Sequence, residues 1–498
     1  MHIAQALATH RLDPASTTPM FRQLYDVIRQ TILSGKIGPG TQLPPTRELA
    51  HSFGISRQTV LNAYAQLTAE GYLSGTVGKG TFVSTSLPIT PKPGTPTPPK
   101  AIQLLHPLSA RGEQFIGPQV AMSIHAGAPR AFRIGMPGLD VFPFDIWSRL
   151  DARHWRRSAG EFGYGDPAGF FSLRTALARY LRASRGVQCE PEQIIITSGS
   201  QQALFLIATM LLAPDEQAWM EEPGYRGISA TLRAAGARIC PVPVDEEGLC
   251  VAEGIKACPD ARLVYVTPSH QQPLGVTMSL ARRLELLAWA DRNKIWVIED
   301  DYDSEYRYTG PPLASLQSLD RAGCVIYVGT LSKVLFPGLR LGYLVAPPPL
   351  AEAFAQGKAI IDRHAPIVPQ MVLADFIDEG HFSRHIKRTR EAYAERRAAL
   401  LDALEQNLQD EFILGRADAG LHLSVTFRRQ LKDSEVSRAA LDKGIEVRPL
   451  SQFYVGRDAT GGADDKSRTN GLLLGFAAIP PEDIRRGVKT LRDVLGGM

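Results

Sequence analysis

The chain has 498 residues, 44% of them hydrophobic and 21% charged, which is enough for two or more domains with a sizeable core. Its formal net charge of +4 excludes a global polycation, so any nucleic-acid surface must be read locally. Five scattered cysteines (Cys189, Cys240, Cys250, Cys258 and Cys324) have no metal spacing and predict free thiols; with no signal-like start and no apolar run long enough for a bilayer, a soluble cytoplasmic protein without metal is expected.

Residues 17–85 read as one compact unit. Phe21, Leu24, Tyr25, Ile28 and Leu33 recur near helical spacing until Ser34-Gly35 stops the helix. Thr46 is placed to cap a second short helix that Gly54 ends. Ser56 opens a third helix to about Glu70, with Val60, Tyr64 and Leu67 on one face. Tyr72-Leu73 and Thr81-Phe82-Val83 flank Val77-Gly78-Lys79-Gly80, the pattern of a hairpin. Two short helices with a tight glycine turn, followed by a hairpin, describe a winged helix-turn-helix. In that geometry the third helix enters the major groove with Ser56, Arg57, Gln58 and Thr59 leading, while Arg47 and Lys79 reach phosphates. Residues 1–86 hold seven Lys and Arg against four Asp and Glu, so this reading rests on pattern, not charge. A small helical interaction domain is the plain alternative.

The run Pro39-Gly40-Thr41-Gln42-Leu43-Pro44-Pro45-Thr46-Arg47-Glu48-Leu49-Ala50, then Ile55-Ser56-Arg57-Gln58-Thr59-Val60 and Gly78-Lys79-Gly80-Thr81-Phe82-Val83, resembles the GntR-type winged-helix domain nearly end to end. The resemblance implies operator DNA as a partner. Residues 86–128 then change character: Pro88, Pro91, Pro93, Pro96, Pro98 and Pro99 cannot build a core and read as an extended, semi-rigid linker.

From residue 129 to 498, strands and helices alternate. Residues 194–197 form an apolar strand running into Ser198-Gly199-Ser200-Gln201-Gln202 and a long helix, a turn that offers backbone N–H groups to a phosphate. Tyr225, after Pro223-Gly224, is placed to stack on a planar ring, or else is an ordinary core aromatic. Two more apolar strands end in Pro268-Ser269-His270-Gln271-Gln272-Pro273-Leu274-Gly275 and in Glu299-Asp300-Asp301-Tyr302-Asp303. Continuous apolar runs predict a mainly parallel sheet covered on both faces, with ligands beyond the carboxyl ends of its strands. A carboxylate there can keep a ring nitrogen protonated, as pyridoxal phosphate chemistry requires; Asp300 is assigned that role, with Asp301 as a possible swap, and Tyr302 a hydrogen bond to the phenolic oxygen. The last strand, residues 324–330, leads to Lys333, an amine suited to a Schiff base, with Thr330, Ser332 and Arg340 able to hold a phosphate. A solvated surface lysine is the bland alternative.

Tyr164-Gly165-Asp166-Pro167-Ala168-Gly169, Thr197-Ser198-Gly199-Ser200-Gln201-Gln202, Glu222-Pro223-Gly224-Tyr225, the Asp-Asp-Tyr cluster and Ser332-Lys333 resemble fold-type I aminotransferases. That likeness implies an α/β domain of that fold, an internal aldimine on Lys333, and phosphate contacts from Ser200, Gln201, Thr330, Ser332 and Arg340. It also implies Tyr225 stacked on the ring and Tyr164 reaching the partner's phosphate in a homodimer. Two departures stand out. Gln272-Pro273-Leu274-Gly275 replaces the usual Asn-Pro-Thr-Gly, so His270 or Gln271 is expected to take over the asparagine's contact. No arginine for a substrate carboxylate appears in Leu472-Leu473-Leu474-Gly475-Phe476, leaving Arg448 or Arg468 as substitutes at the effector site.

Both halves on one chain resemble the MocR/GabR family of bacterial transcription regulators. The resemblance implies a pyridoxal 5'-phosphate-dependent DNA-binding regulator that senses a small amine, an amino acid or pyridoxal phosphate itself. Net turnover in the cell is not expected, although an aminotransferase half-reaction is compatible with the residues. The alternative is a working aminotransferase with an accessory DNA-binding domain.

Overall fold

The computed structural model describes residues 7, 10–76, 80–86, 108–116, 129–156, 162–310, 313–455 and 469–498; Lys79, Arg468 and most of the proline-rich linker lie outside them. The chain divides into two compact units, Met1–Pro107 and Leu108–Met498.

The first unit carries helices α1 (Met20–Leu33), α2 (Thr46–Phe53) and α3 (Arg57–Ala69), then strands β1 (Leu73–Thr76) and β2 (Gly80–Val83), paired antiparallel. Leu24, Ile28, Leu49, Val60, Leu67 and Val83 close one small core. The turn between α2 and α3 depends on Gly54, whose φ of 62° is left-handed. Ser56 caps α3 by accepting from the Thr59 amide at 3.1 Å. Thr46 is not a cap. Pro44 and Pro45 hold the chain extended up to the helix, so Thr46 is its first helical residue, and its hydroxyl accepts from Arg57 Nε at 3.3 Å.

The second unit is built on an eight-stranded sheet in the order β3-β10-β9-β8-β7-β4-β5-β6. Its strands are β3 (Ile194–Thr197), β4 (Gln217–Glu222), β5 (Arg238–Asp245), β6 (Gly248–Leu249), β7 (Leu263–Val266), β8 (Trp296–Asp301), β9 (Val325–Thr330) and β10 (Gly342–Val345). β5, β4, β7, β8 and β9 run parallel in that spatial order, whereas β10 runs antiparallel between β9 and β3. β3, β7, β9 and β10 are buried along their whole length, because helices cover both faces; this is why they read as continuous apolar runs. A four-stranded antiparallel sheet, β11 (Phe412–Leu414), β12 (His422–Phe427), β14 (Gly471–Gly475) and β13 (Arg448–Pro449), packs with helices His381–Leu408 and Pro481–Gly496 into a separate core. No helix among the described residues is long and apolar enough to cross a membrane.

A second expectation is corrected. Cys240 and Cys258 form a disulfide with Cα atoms 6.6 Å apart, so only Cys189, Cys250 and Cys324 are free. The pairing is invisible as spacing, because a helix (Val251–Ala257) folding back on β5 brings the two sulfurs together across 18 residues.

Candidate functional site

The carboxyl ends of β3 and β9 meet at one row of the sheet, with Gly342 of β10 between Thr197 and Thr330. Gly342 cannot carry a side chain, since a Cβ there would fall 2.8 Å from the Gly199 Cα and 2.9 Å from the Ser200 nitrogen. The backbone packed against it is the turn from β3 into helix α4 (Ser200–Leu211), and Gly199 makes that turn at a φ of 102°. Arg340, two residues before β10, donates from Nη2 to the Ser198 carbonyl at 2.7 Å. Its guanidinium lies 3.5 Å from where a Gly199 side chain would begin. A helix N-terminus with free first-turn amides and an adjoining guanidinium forms a cup that can hold an anion such as phosphate. Thr330 and Ser332 line the facing loop, where the Thr330 hydroxyl accepts from the Ser332 amide at 3.3 Å.

Lys333 follows on that loop. Its Nζ donates to the Gly135 carbonyl at 2.8 Å. Burial lowers its proton affinity, and the pull of Asp303 and Asp300 opposes that. Asp300, at the end of β8, accepts from the Tyr265 hydroxyl through Oδ2 at 2.8 Å, while its Oδ1 is buried with no partner among the described residues. Burial pushes this carboxyl up to about 7, against the Tyr265 hydrogen bond and the attraction of Lys333. A buried carboxylate with an open oxygen, facing a lysine, is shaped to meet a cationic N–H.

Asp301 does not share this face. It accepts from Arg185 Nε at 2.8 Å and from the Tyr327 hydroxyl at 2.5 Å, so the alternation of a strand rules it out as a swap for Asp300. Gln271 is also engaged elsewhere. Its amide donates to the Pro223 and Gln272 carbonyls at 2.9 and 2.8 Å, and its oxygen accepts from the Leu274 amide at 2.9 Å, which shapes the loop and leaves nothing for a ligand. His270 remains available. Its Nδ1 lies 3.0 Å from the Tyr302 hydroxyl and 3.1 Å from both Asp303 oxygens, while Nε2 is buried without a partner among the described residues.

Tyr225 is half-buried, and its hydroxyl donates to Gln201 Oε1 at 3.2 Å; the partial burial holds its pKa up at about 12, so it stays a neutral phenol. The Gln201 side chain also donates to the Gly227 carbonyl and to Thr231, which leaves its backbone amide for the cup. Tyr164 is 92% exposed, a rare state for a tyrosine ring. Arg448 lies half-buried on β13 opposite Leu473 of β14, and Leu473 packs into an apolar group with Leu450 and Phe453. In the first unit Arg47, Ser56, Arg57 and Gln58 are exposed and Thr59 is half-buried, with Gln58 bonded to Asn62 at 2.9 Å. Sequence reasoning missed Tyr265, Gly135 and Asp303. Tyr265 reads as a core strand residue, a carbonyl leaves no trace in sequence, and Asp303 looks like one more acid in a cluster.

Two family models match the chain: "Bacterial regulatory proteins, gntR family" over residues 21–83 and "Aminotransferase class I and II" over residues 151–491. The chain is 40% identical over 491 residues to the probable rhizopine catabolism regulatory protein MocR of Rhizobium meliloti, covering 97% of this chain and 94% of that one. It is 36% identical over 495 residues to the transcriptional regulator TauR of Rhodobacter capsulatus, covering 97% and 98%. Among solved structures it is similar to LysN, the alpha-aminoadipate aminotransferase of Thermus thermophilus, complexed with N-(5'-phosphopyridoxyl)-L-leucine. That match has 31% identity and a TM-score of 0.66, over 74% of this chain and 92% of that one.

Proposed function

The chain belongs to the MocR/GabR-type transcription regulators, pyridoxal phosphate-dependent proteins with a GntR-type winged helix ahead of an aminotransferase-like domain, and we propose that it reads a small amine at Lys333 and passes that reading to operator DNA. The supporting observation is the buried Oδ1 of Asp300 near Lys333, which has no partner among the described residues. Bound there, the cofactor supplies an aldehyde that captures amines and a ring that withdraws electrons. Lys333 Nζ would be the amine offered to that aldehyde, since burial lowers its proton affinity and keeps more of it nucleophilic. Asp300 would hold the ring nitrogen, the Tyr302 hydroxyl would serve the phenolic oxygen with His270 behind it, and Tyr225 would stack on the ring. The Ser200 and Gln201 amides, the Thr330 and Ser332 hydroxyls and Arg340 would hold its phosphate.

The active form in this reading is a homodimer, in which the exposed Tyr164 completes the phosphate site of a second copy and two winged helices face two half-sites. The effector is a small amine, an amino acid or pyridoxal phosphate itself, and Arg448 and Arg468 are the cations proposed for an acidic group on it. Its binding changes operator affinity through a differential preference for two states of the protein. Titrating candidate amines while following the cofactor's visible band and operator affinity together tests this. The true effector shifts both at one concentration; an amine that shifts the band and leaves operator affinity untouched counts against the reading. Likeness to a solved aminotransferase supports a second reading, a working transaminase. Steady keto acid formation at ordinary enzyme rates favours it.

Two substitutions probe the ends of the chain's activity. Gly342→Ala pushes a methyl group into the Gly199–Ser200 backbone, so cofactor affinity is expected to fall by about 1–3 kcal/mol, read by equilibrium binding. Arg57→Ala, at the exposed leading end of α3, is expected to cost about 1–3 kcal/mol of operator affinity and to relax specificity at one base position, read by competition with single-base variants.

A further inference from the structure

The Tyr302 hydroxyl lies 3.0 Å from His270 Nδ1, and the same nitrogen lies 3.1 Å from both oxygens of Asp303. All three groups cannot be satisfied in every arrangement. The carboxylate of Asp303 only accepts, and among the described residues His270 is the side chain bonded to it, so the shared hydrogen belongs on Nδ1. Nδ1–H then has no lone pair to offer Tyr302, whose oxygen can accept from it but whose own hydrogen must point elsewhere. The imidazole cannot turn away. Gly420 has no side chain where a Cβ would sit 1.9 Å from His270 Cε1, and the His422 ring packs 5.2 Å from it.

From this geometry we infer that Asp303 is a positioning residue: through His270 it aims the Tyr302 hydroxyl hydrogen at the bound cofactor's phenolic oxygen. The inference rests on the reading that Lys333 holds the cofactor and Tyr302 meets that oxygen. Without Asp303, Nδ1 is free to present a lone pair, and the Tyr302 hydrogen turns back to it.

The readout is the pH midpoint of the bound cofactor's visible band in the full-length protein. A donor on the phenolic oxygen weakens that oxygen's hold on the proton it shares with the Lys333 nitrogen, so losing the donor raises the midpoint. Tyr302→Phe is expected to raise it by about one to two pH units, the worth of a hydrogen bond to a charged acceptor. Asp303→Asn has a second effect, because Asp303 also attracts the charge at Lys333 and its loss lowers the midpoint. The two effects separate in a double-mutant cycle. In the Tyr302→Phe background only the charge effect remains, and the midpoint falls. With Tyr302 in place the loss of aim adds an upward shift, so the two responses differ by about one pH unit.

An equal shift in both backgrounds overturns the inference and leaves the cofactor reading intact. Should Asp303→Asn fail to fold, His270→Ala keeps the carboxylate and breaks the relay; it is expected to raise the midpoint with Tyr302 present and to leave it nearly unmoved in the Tyr302→Phe background. A visible band that survives Lys333→Ala overturns the underlying reading instead, whatever Asp303 does.

Discussion

Lys333→Ala is expected to abolish the cofactor's visible band and the response of operator binding to any amine, while operator affinity without effector stays within about 0.5 kcal/mol of the parent chain. The two outcomes separate because the substitution removes a chemical group from one unit and leaves the other unit's core untouched. Leu24, Ile28, Leu49, Val60 and Leu67 close the winged helix on themselves, and Lys333 plays no part in that core. Within its own unit the change is tolerable. It strands the Gly135 carbonyl, which now accepts from Nζ at 2.8 Å, at a cost of about 1–3 kcal/mol, and it removes an amine whose charged form burial already disfavours. The protein should therefore fold, bind DNA and be deaf. Absorbance spectra and operator titrations, with and without a saturating amine, check this. An amine response that persists in Lys333→Ala would mean that the ligand is read somewhere other than this lysine.

Much of this site is legible in the sequence because the chain punctuates itself. Glycine and proline stops delimit α1, α2 and the α2–α3 turn, and Ser56 is a cap on sight. In the larger unit every polar cluster that follows an apolar strand lies at the same edge of the sheet, which follows from the parallel order of β4, β7, β8 and β9. What stays hidden depends on register and return paths. Tyr265 reaches Asp300 only because β7 and β8 pair side by side, and no local pattern in either strand announces it. Asp300 and Asp301 look interchangeable in sequence; one step along a strand separates a carboxylate facing Lys333 from one buried against Arg185 and Tyr327. Gln271, which reads as a ligand group, is consumed by its own loop, and Thr46 gives up a cap because Pro45 takes the N-cap position and α2 starts one residue sooner. The disulfide between Cys240 and Cys258 is of the same kind, since nothing in an 18-residue gap says that a helix folds back.

Asp300→Asn is expected to act with opposite signs on the empty and the loaded protein, stabilising the first and weakening the second. Without cofactor, burial raises this carboxyl from 3.8 to about 7. A group whose folded pKa lies above its unfolded one carries an advantage that is complete below about pH 3.8 and is lost as pH rises toward 7. Above pH 7 the ionised, half-partnered carboxylate therefore opposes folding, by about 4 kcal/mol at ~1.4 kcal/mol per pH unit. Asparagine has the same shape and no charge, and its oxygen can still accept from the Tyr265 hydroxyl. The variant should thus resist denaturant better than the parent at pH 8, with the gain shrinking as pH falls toward 4. Part of the parent's alkaline weakness will remain, because burial also pushes Glu221, Glu299 and Glu305 up to about 7. With cofactor present the sign reverses. A protonated ring nitrogen facing a neutral amide is a buried charge left without its partner, a loss of about 3–5 kcal/mol, so cofactor affinity should fall by roughly two to four orders of magnitude. Denaturant midpoints of cofactor-free protein at pH 5 and pH 8, set beside cofactor affinity at pH 8, measure both halves. An ordinary buried structural carboxylate would lose stability in both forms on substitution. Strain kept in the empty state and relieved on loading is the mark of a residue retained for the ligand.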